Sequence, residues 1–165
     1  MSDTPLPGTP LPDAALRDKP PPADAIGRAP RAGVFLLPLR VYWEDTDAGG
    51  VVFYANYLKF FERARTEWLR ALGFSQQQML QHDGVMFVVA DTSVRYLRAA
   101  RLDDLLQVSV EVAEAGRASL RLQQQARRDG ELLAEGAIRI GCVAAAAGAG
   151  FRPCRIPAAI LEKIQ

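Results

Sequence analysis

The sequence predicts an α+β protein in which a five-stranded antiparallel sheet wraps around one long central helix. Three observations predict it. From about Tyr54 to Leu72 the apolar residues recur at helical spacing. After Val85 the chain changes to strand-like runs. Those runs are joined by short turn signals, which make consecutive strands antiparallel neighbours, and a single apolar helix must then bury itself on that sheet.

The elements follow in order. Val34 to Trp43 (VFLLPLRVYW) reads as the first strand, with Pro38 suited to an edge or a bulge. The helix follows at Tyr54 to Leu72, with Asn56 as N-cap and Gly73 as the terminating glycine. At 100° per residue Tyr57, Phe61, Ala64, Trp68 and Leu72 share one face, flanked by Leu58 and Ala71. Lys59, Arg63, Thr66 and Arg70 lie opposite. A short helical piece runs from Ser75 to Gln81. Val85 to Tyr96 opens with a continuous apolar run, and Leu106 to Ala113 alternates cleanly. Gly116 marks a turn before Ser119 to Arg127, and Asp129-Gly130 signals a tight hairpin into Leu132 to Val143. Ala144 to Gly150 reads as a small-residue loop, and Pro157 to Ile164 as a terminal helical turn.

Eight of the eleven prolines fall within the first 30 residues. That segment has few large apolar residues and no periodicity, so it lacks the means to offset its ordering entropy. Residues 1–33 are expected to form a flexible tail and residues 34–165 the folded domain. The tail has no basic n-region followed by an apolar run, so it is not read as a signal peptide. No apolar stretch reaches the roughly 20 residues that span a bilayer. A net charge of +1 argues against electrostatic binding to nucleic acid or membrane. The two cysteines, Cys142 and Cys154, are too few for a disulfide framework or a zinc site. A cytoplasmic protein with reduced, inert thiols is the simplest expectation.

The chemistry concentrates in Glu44-Asp45-Thr46-Asp47-Ala48-Gly49-Gly50-Val51-Val52-Phe53-Tyr54, between the first strand and the helix. Two carboxylates and a glycine pair precede a helix N-terminus, where unpaired N–H groups and partial positive charge gather. A carboxylate base facing a ready-made oxyanion site is what acyl transfer needs. An EF-hand reading of the acidic pair fails, because Gly49 and Asn56 stand where calcium ligands would be required. No phosphate-binding glycine–lysine loop exists for phosphoryl transfer. Asp47 is read as catalytic and Asp45 as structural. Glu62 is placed for an i,i+3 pair with Arg65. His82 is the only histidine, which excludes a multi-histidine metal site, and it reads as a solvated loop residue.

The runs VYWEDTDAGGVVFYANYLKFFERARTEWLRALGF and RAARLDDLLQVSVEV resemble the hotdog-fold thioesterases. Within the 4-hydroxybenzoyl-CoA thioesterase family they most resemble the Tol–Pal-associated, YbgC-type acyl-CoA thioesterases. The resemblance covers about Phe35 to Ile164 and leaves out the proline-rich tail. It implies hydrolysis of a fatty or aromatic acyl-CoA to free acid and coenzyme A. Asp47 then serves as general base or nucleophile, and the backbone N–H of Tyr54 polarises the thioester carbonyl. Close relatives often carry histidine at the Tyr54 position, and a role that belongs to the main chain tolerates the exchange. Gly50, Val51, Phe53, Phe87 and Val88 are expected at the acyl site, with Arg117 and Ser119 toward the coenzyme A nucleotide. No metal or other cofactor is implied, since coenzyme A belongs to the substrate. The resemblance also implies a homo-oligomer, dimer or tetramer, with acyl carrier protein as a possible second acyl donor. The alternative is a non-catalytic acyl-CoA or acyl-carrier-protein scaffold linked to the cell envelope.

Overall fold

The computed structural model describes residues 33–146 and 150–164. The expected tail, except for Gly33, lies outside them. Strand β1 is Val34–Arg40, followed by a 3-10 turn at Trp43–Asp45, helix α1 at Asn56–Ala71 and a short α2 at Gln76–Gln78. A π turn at Met79–Asp83 leads into β2 (Val85–Tyr96), β3 (Leu105–Ala115), β4 (Ser119–Arg128) and β5 (Glu131–Ala146). Strand β6 (Gly150–Pro153) and helix α3 (Ala158–Ile164) complete the chain. The sheet order is β1-β3-β4-β5-β2, antiparallel throughout. It is the expected hotdog arrangement with a sixth strand added.

That sixth strand corrects the loop expected over Ala144 to Gly150. Alanine and glycine carry little strand signal, yet β5 runs on to Ala146 because Ala144 pairs with Val85 on one side and Arg152 on the other. β4 begins where Ser119 meets Gly141, and beyond that point along β5 its place is taken by β6. The first strand is also shorter than expected. It stops at Arg40, because Tyr42 to Asp45 close a tight turn through Asp45 N–H to Tyr42 O at 3.0 Å. Pro38 lies on the edge strand β1, where its missing N–H breaks no ladder on the outer side.

Helix α1 is buried over more than the single stripe its periodicity suggests. Tyr57, Phe61, Ala64 and Trp68 are buried as expected, but so are Phe60 and Leu69, while Leu58 is exposed. A curved sheet covers a wider arc of a helix than a flat one, so two adjacent rows of residues turn inward. Gly136 on β5 makes room for this packing: a Cβ there would meet Phe61 Cε2 at 3.0 Å. At the far end Lys163 from α3 donates to Leu72 O at 2.7 Å, supplying an acceptor-rich helix C-terminus with a cation.

Leu120, Leu122, Ala134, Ile138 and Ile140, which in sequence are more apolar positions than one helix readily covers, are all buried in the one core that includes the apolar face of α1. The opposite face of the sheet carries alternating polar positions such as Arg121 opposite Arg139 and Gln125 opposite Glu135. Among the described residues no helix is long and apolar enough to cross a membrane.

Candidate active site at the start of the central helix

The segment between β1 and α1 is tied down at three places. Thr46 and Val52 form an isolated antiparallel bridge, and Val52 N–H donates to Ala100 O at 2.8 Å. Asp45 is nearly fully buried, and its carboxylate accepts the Tyr42 N–H at 2.9 Å. The Asp45 carbonyl accepts both Phe53 N–H and the Asn56 side-chain amide, each at 2.9 Å. Asp45 is therefore a structural hub, in line with its reading from sequence. Asn56 corrects the expected N-cap: it is the first helical residue, and its amide reaches back to the Asp45 carbonyl rather than capping an N–H.

Asp47 sits at the tip of this clamped turn and is exposed. Its N–H donates to Val51 O at 2.9 Å, and its carbonyl accepts Gly50 N–H at 3.0 Å. Its Oδ1 accepts the Gly49 N–H at 2.8 Å, leaving Oδ2 free of any partner among the described residues. Both glycines are needed. Gly50 has φ of +71°, and a Cβ at Gly49 would stand 3.0 Å from Asp47 Oδ1.

The helix begins in 3-10 fashion, with Asn56 N–H to Phe53 O at 2.8 Å and Tyr57 N–H to Tyr54 O at 3.4 Å. The Phe53 N–H is spent on Asp45. No described residue accepts the N–H of Tyr54 or Ala55, so these are the helix's unpaired donors. A developing oxyanion beside them meets two N–H groups and the positive end of the helix dipole.

Around these donors lies an open cleft of about 290 Å³ lined by Val52, Tyr54, Tyr57, Tyr96, Leu97, Arg98 and Ala99. Phe53 and Tyr54 pack ring against ring at 4.6 Å, and Tyr96 packs against both Tyr54 and Tyr57. Burial pushes the Tyr57 phenol above its ordinary range, partly offset by the Ala100 N–H that its oxygen accepts at 3.1 Å. Burial also raises Tyr96, with the neighbouring Tyr54 adding to it. Both phenols therefore stay protonated at neutral pH. Tyr57 and Tyr96 were not singled out in the sequence. Their hydrophobic spacing marks them as core, and nothing local shows that their edges reach a cleft.

The remaining site residues stand elsewhere in the single chain. Phe87 and Val88 line a separate cavity of about 110 Å³ with Glu62, Arg65, Leu69, Gln76, Val89 and Ile140. Val88, Gly141 and Ser119 form one row across β2, β5 and β4, and Arg117 lies in the turn just before. Tyr96 is eight residues further along β2, about 27 Å at strand rise. One chain thus carries two groups: Asp47, Gly50, Val51, Phe53 and Tyr54 at one end, and Phe87, Val88, Arg117 and Ser119 at the other. Glu62 does not pair with Arg65; it accepts the Thr66 hydroxyl at 2.8 Å, whereas Arg65 turns inward to Gln124. His82 is exposed on the π turn.

Residues 41–164 match the family model of the thioesterase-like superfamily. The chain belongs to that superfamily. It is 49% identical over 109 residues to the acyl-CoA thioesterase YbgC of Haemophilus influenzae, spanning 66% of this chain and 80% of that protein. It is 45% identical over 111 residues to the acyl-CoA thioester hydrolase YbgC of Escherichia coli O6:H1, spanning 67% and 82%. A probable thioesterase from Bartonella henselae superposes with a TM-score of 0.70 at 31% identity, covering 75% of this chain and 99% of that one. The 4-hydroxybenzoyl CoA thioesterase of a Pseudomonas strain shares the fold, with a TM-score of 0.75 at 19% identity over 80% and 99% of the two chains.

The main-chain assignment yields a paired prediction. Tyr54→Phe is expected to keep kcat within about threefold of wild type, roughly 0.65 kcal/mol, because the phenol is not the donor. Tyr54→Pro removes an N–H that makes no internal bond, at the second position of the Phe53–Asn56 turn, where proline is tolerated. It is expected to lower kcat by roughly 10²–10³-fold, the worth of one oxyanion donor. Steady-state kinetics on both variants decide it, and a phenylalanine variant as slow as the proline one would assign catalysis to the phenol.

Proposed function

We infer that the chain is an acyl-CoA thioester hydrolase, cleaving the thioester with water to a free acid and coenzyme A. The observation that carries this is a clamped turn holding Asp47 a few residues before the unspent N–H groups of Tyr54 and Ala55 at the helix start, in a chain closely similar to named acyl-CoA thioesterases.

In the proposed reaction the thioester carbonyl oxygen lies against the Tyr54 N–H. Asp47 either takes a proton from an attacking water or attacks the carbonyl itself to give a mixed anhydride that water then opens. In both routes the tetrahedral oxyanion forms against the helix N-terminus and collapses by expelling the coenzyme A thiolate. A thiolate leaves readily, so no strong acid is needed, and water balances the equation without a metal or redox cofactor. None of the relatives named above is called a binding scaffold. Release of free thiol from acyl-CoA esters of graded chain length tests the reading: turnover supports it, and tight binding without release would make the chain a scaffold.

The two separated groups of site residues support assembly as a homo-oligomer. β2 is an open edge of the sheet, with Val89 half exposed, whereas Pro38 blunts the edge at β1. Antiparallel pairing of β2 with its copy, about a two-fold axis midway between Val88 and Tyr96, sets Val88 of one copy beside Tyr96 of the other. The helix start of one copy then faces Phe87 and Val88 of the second, which would hold the acyl group. Arg117 and Ser119 lie at that end of the sheet to meet the coenzyme A nucleotide. A tetramer, acyl carrier protein as an alternative acyl donor and a role beside the Tol–Pal envelope proteins are the finer expectations of the resemblance, and a cytoplasmic location is that of the cysteine content.

Residues 1–33 are proposed to be dispensable for this chemistry. A truncation starting at Val34 is expected to keep kcat and Tm close to those of the full chain, because the removed segment has no core-forming pattern. A Tm drop of many degrees would show that the segment packs on the domain.

A further inference from the structure

The two cysteines, distant in sequence terms and expected to be inert, meet in the fold. Cys142 on β5 and Cys154 just beyond β6 lie with their Sγ atoms 3.4 Å apart, both as free thiols. They lie one residue beyond the last β5–β6 pair, Val143 and Pro153, where the Cys154 N–H donates to Cys142 O at 2.9 Å and the Cys142 N–H to Ala118 O at 2.8 Å. With the sulfurs already 3.4 Å apart, closure to a bond of about 2.05 Å needs only a short approach of the two side chains.

Their environments differ in the way a two-step exchange requires. Cys142 is fully buried, and Cys154 is only partly so. Burial and the adjoining Cys154 sulfur push the Cys142 thiol up to about 12, so it is not the group that attacks first.

We propose that Cys154 and Cys142 form a dithiol modification site that reacts with low-molecular-weight disulfides and closes to an intramolecular disulfide. The Cys154 thiolate attacks a small disulfide, forming a mixed disulfide and releasing one small thiol. The Cys142 sulfur, giving up its proton to solvent, then attacks the Cys154 sulfur and expels the second small thiol. The protein loses two hydrogens with two electrons, and the small disulfide is reduced to two thiols. The product ties β5 to the segment that leads into α3. That segment already holds the core through Ile156 N–H to Arg117 O at 2.9 Å and the fully buried Ile160.

The test is incubation of the native full-length protein with oxidised glutathione, followed by intact mass, thiol counting in denaturant and thermal unfolding. The expected product has lost two hydrogens, shows no free thiol, reverts with dithiothreitol and melts roughly 5–10 °C higher. Cys154→Ser is expected to abolish both closure and any adduct, and Cys142→Ser to stop at the glutathione adduct. Two thiols that remain free in the wild type, or an adduct on Cys154 that never closes, would overturn the proposal.

Discussion

Asp47→Asn is expected to lower kcat by roughly 10²–10⁴-fold, the usual worth of a positioned general base. By rate arithmetic this is about 2.7–5.5 kcal/mol of transition-state stabilisation. The fold should be untouched. Asp47 is exposed, and its single side-chain hydrogen bond, from the Gly49 N–H to Oδ1, is one that an asparagine oxygen accepts equally well. Substrate binding should change little, so the loss falls on kcat rather than KM. A nucleophilic Asp47 would make the loss larger and would leave an acyl-enzyme detectable by mass in the wild type at short times. Turnover within a few fold of wild type would remove Asp47 from the mechanism.

Gln124→Leu is expected to have the largest effect on stability, about 2–4 kcal/mol. Gln124 is fully buried on β4 and joins three elements. Its Oε1 accepts Arg65 Nη1 at 2.8 Å, and its amide donates to Phe61 O at 3.0 Å and Ser109 O at 3.2 Å. Arg65 is itself nearly buried and has no carboxylate within ion-pair distance among the described residues. Leucine fills the space of glutamine but leaves the guanidinium without its acceptor, and an orphaned buried charge is the expensive outcome. Burial already lowers the Arg65 pKa, with Glu62 acting in the opposite direction. At 2–4 °C per kcal/mol for a chain of this size, Tm should fall by roughly 4–16 °C. Adding Arg65→Met should recover part of the loss, because both polar partners are then gone. A single variant melting with wild type would show that water replaces the lost acceptor.

What the sequence made legible follows from which physics is local. The helix, four strands after it and the Asp129-Gly130 hairpin carry period and turn chemistry within their own residues. So does the D-x-D turn before a helix start, which placed Asp47, Gly50 and the Tyr54 N–H in one stretch of chain. The extension of β5 and strand β6 escaped because they are specified by partner strands, not by alanine or glycine propensity. Arg65 read as half of a surface ion pair, because helical spacing to Glu62 is visible and Gln124, 59 residues away, is not. The cysteine pair was hidden for the same reason: only the register of β6 brings the two sulfurs together. Phe87, Val88, Arg117 and Ser119 were grouped with Asp47 through family resemblance, and within one chain the fold sets them apart.

That separation makes the shared site the central claim, and subunit mixing tests it most directly. Asp47→Asn removes one group, and Val88→Asp places a charge in the other. Each variant alone should show little thiol release from acyl-CoA. When the two are unfolded together and refolded at equal amounts, half of the pairs are mixed and each mixed pair carries one intact site. Activity should return to roughly a quarter of wild type per chain, as an isologous pairing of edges requires. A mixture as inactive as its parents, or a Val88→Asp protein as active as wild type, would contradict a site built from two copies.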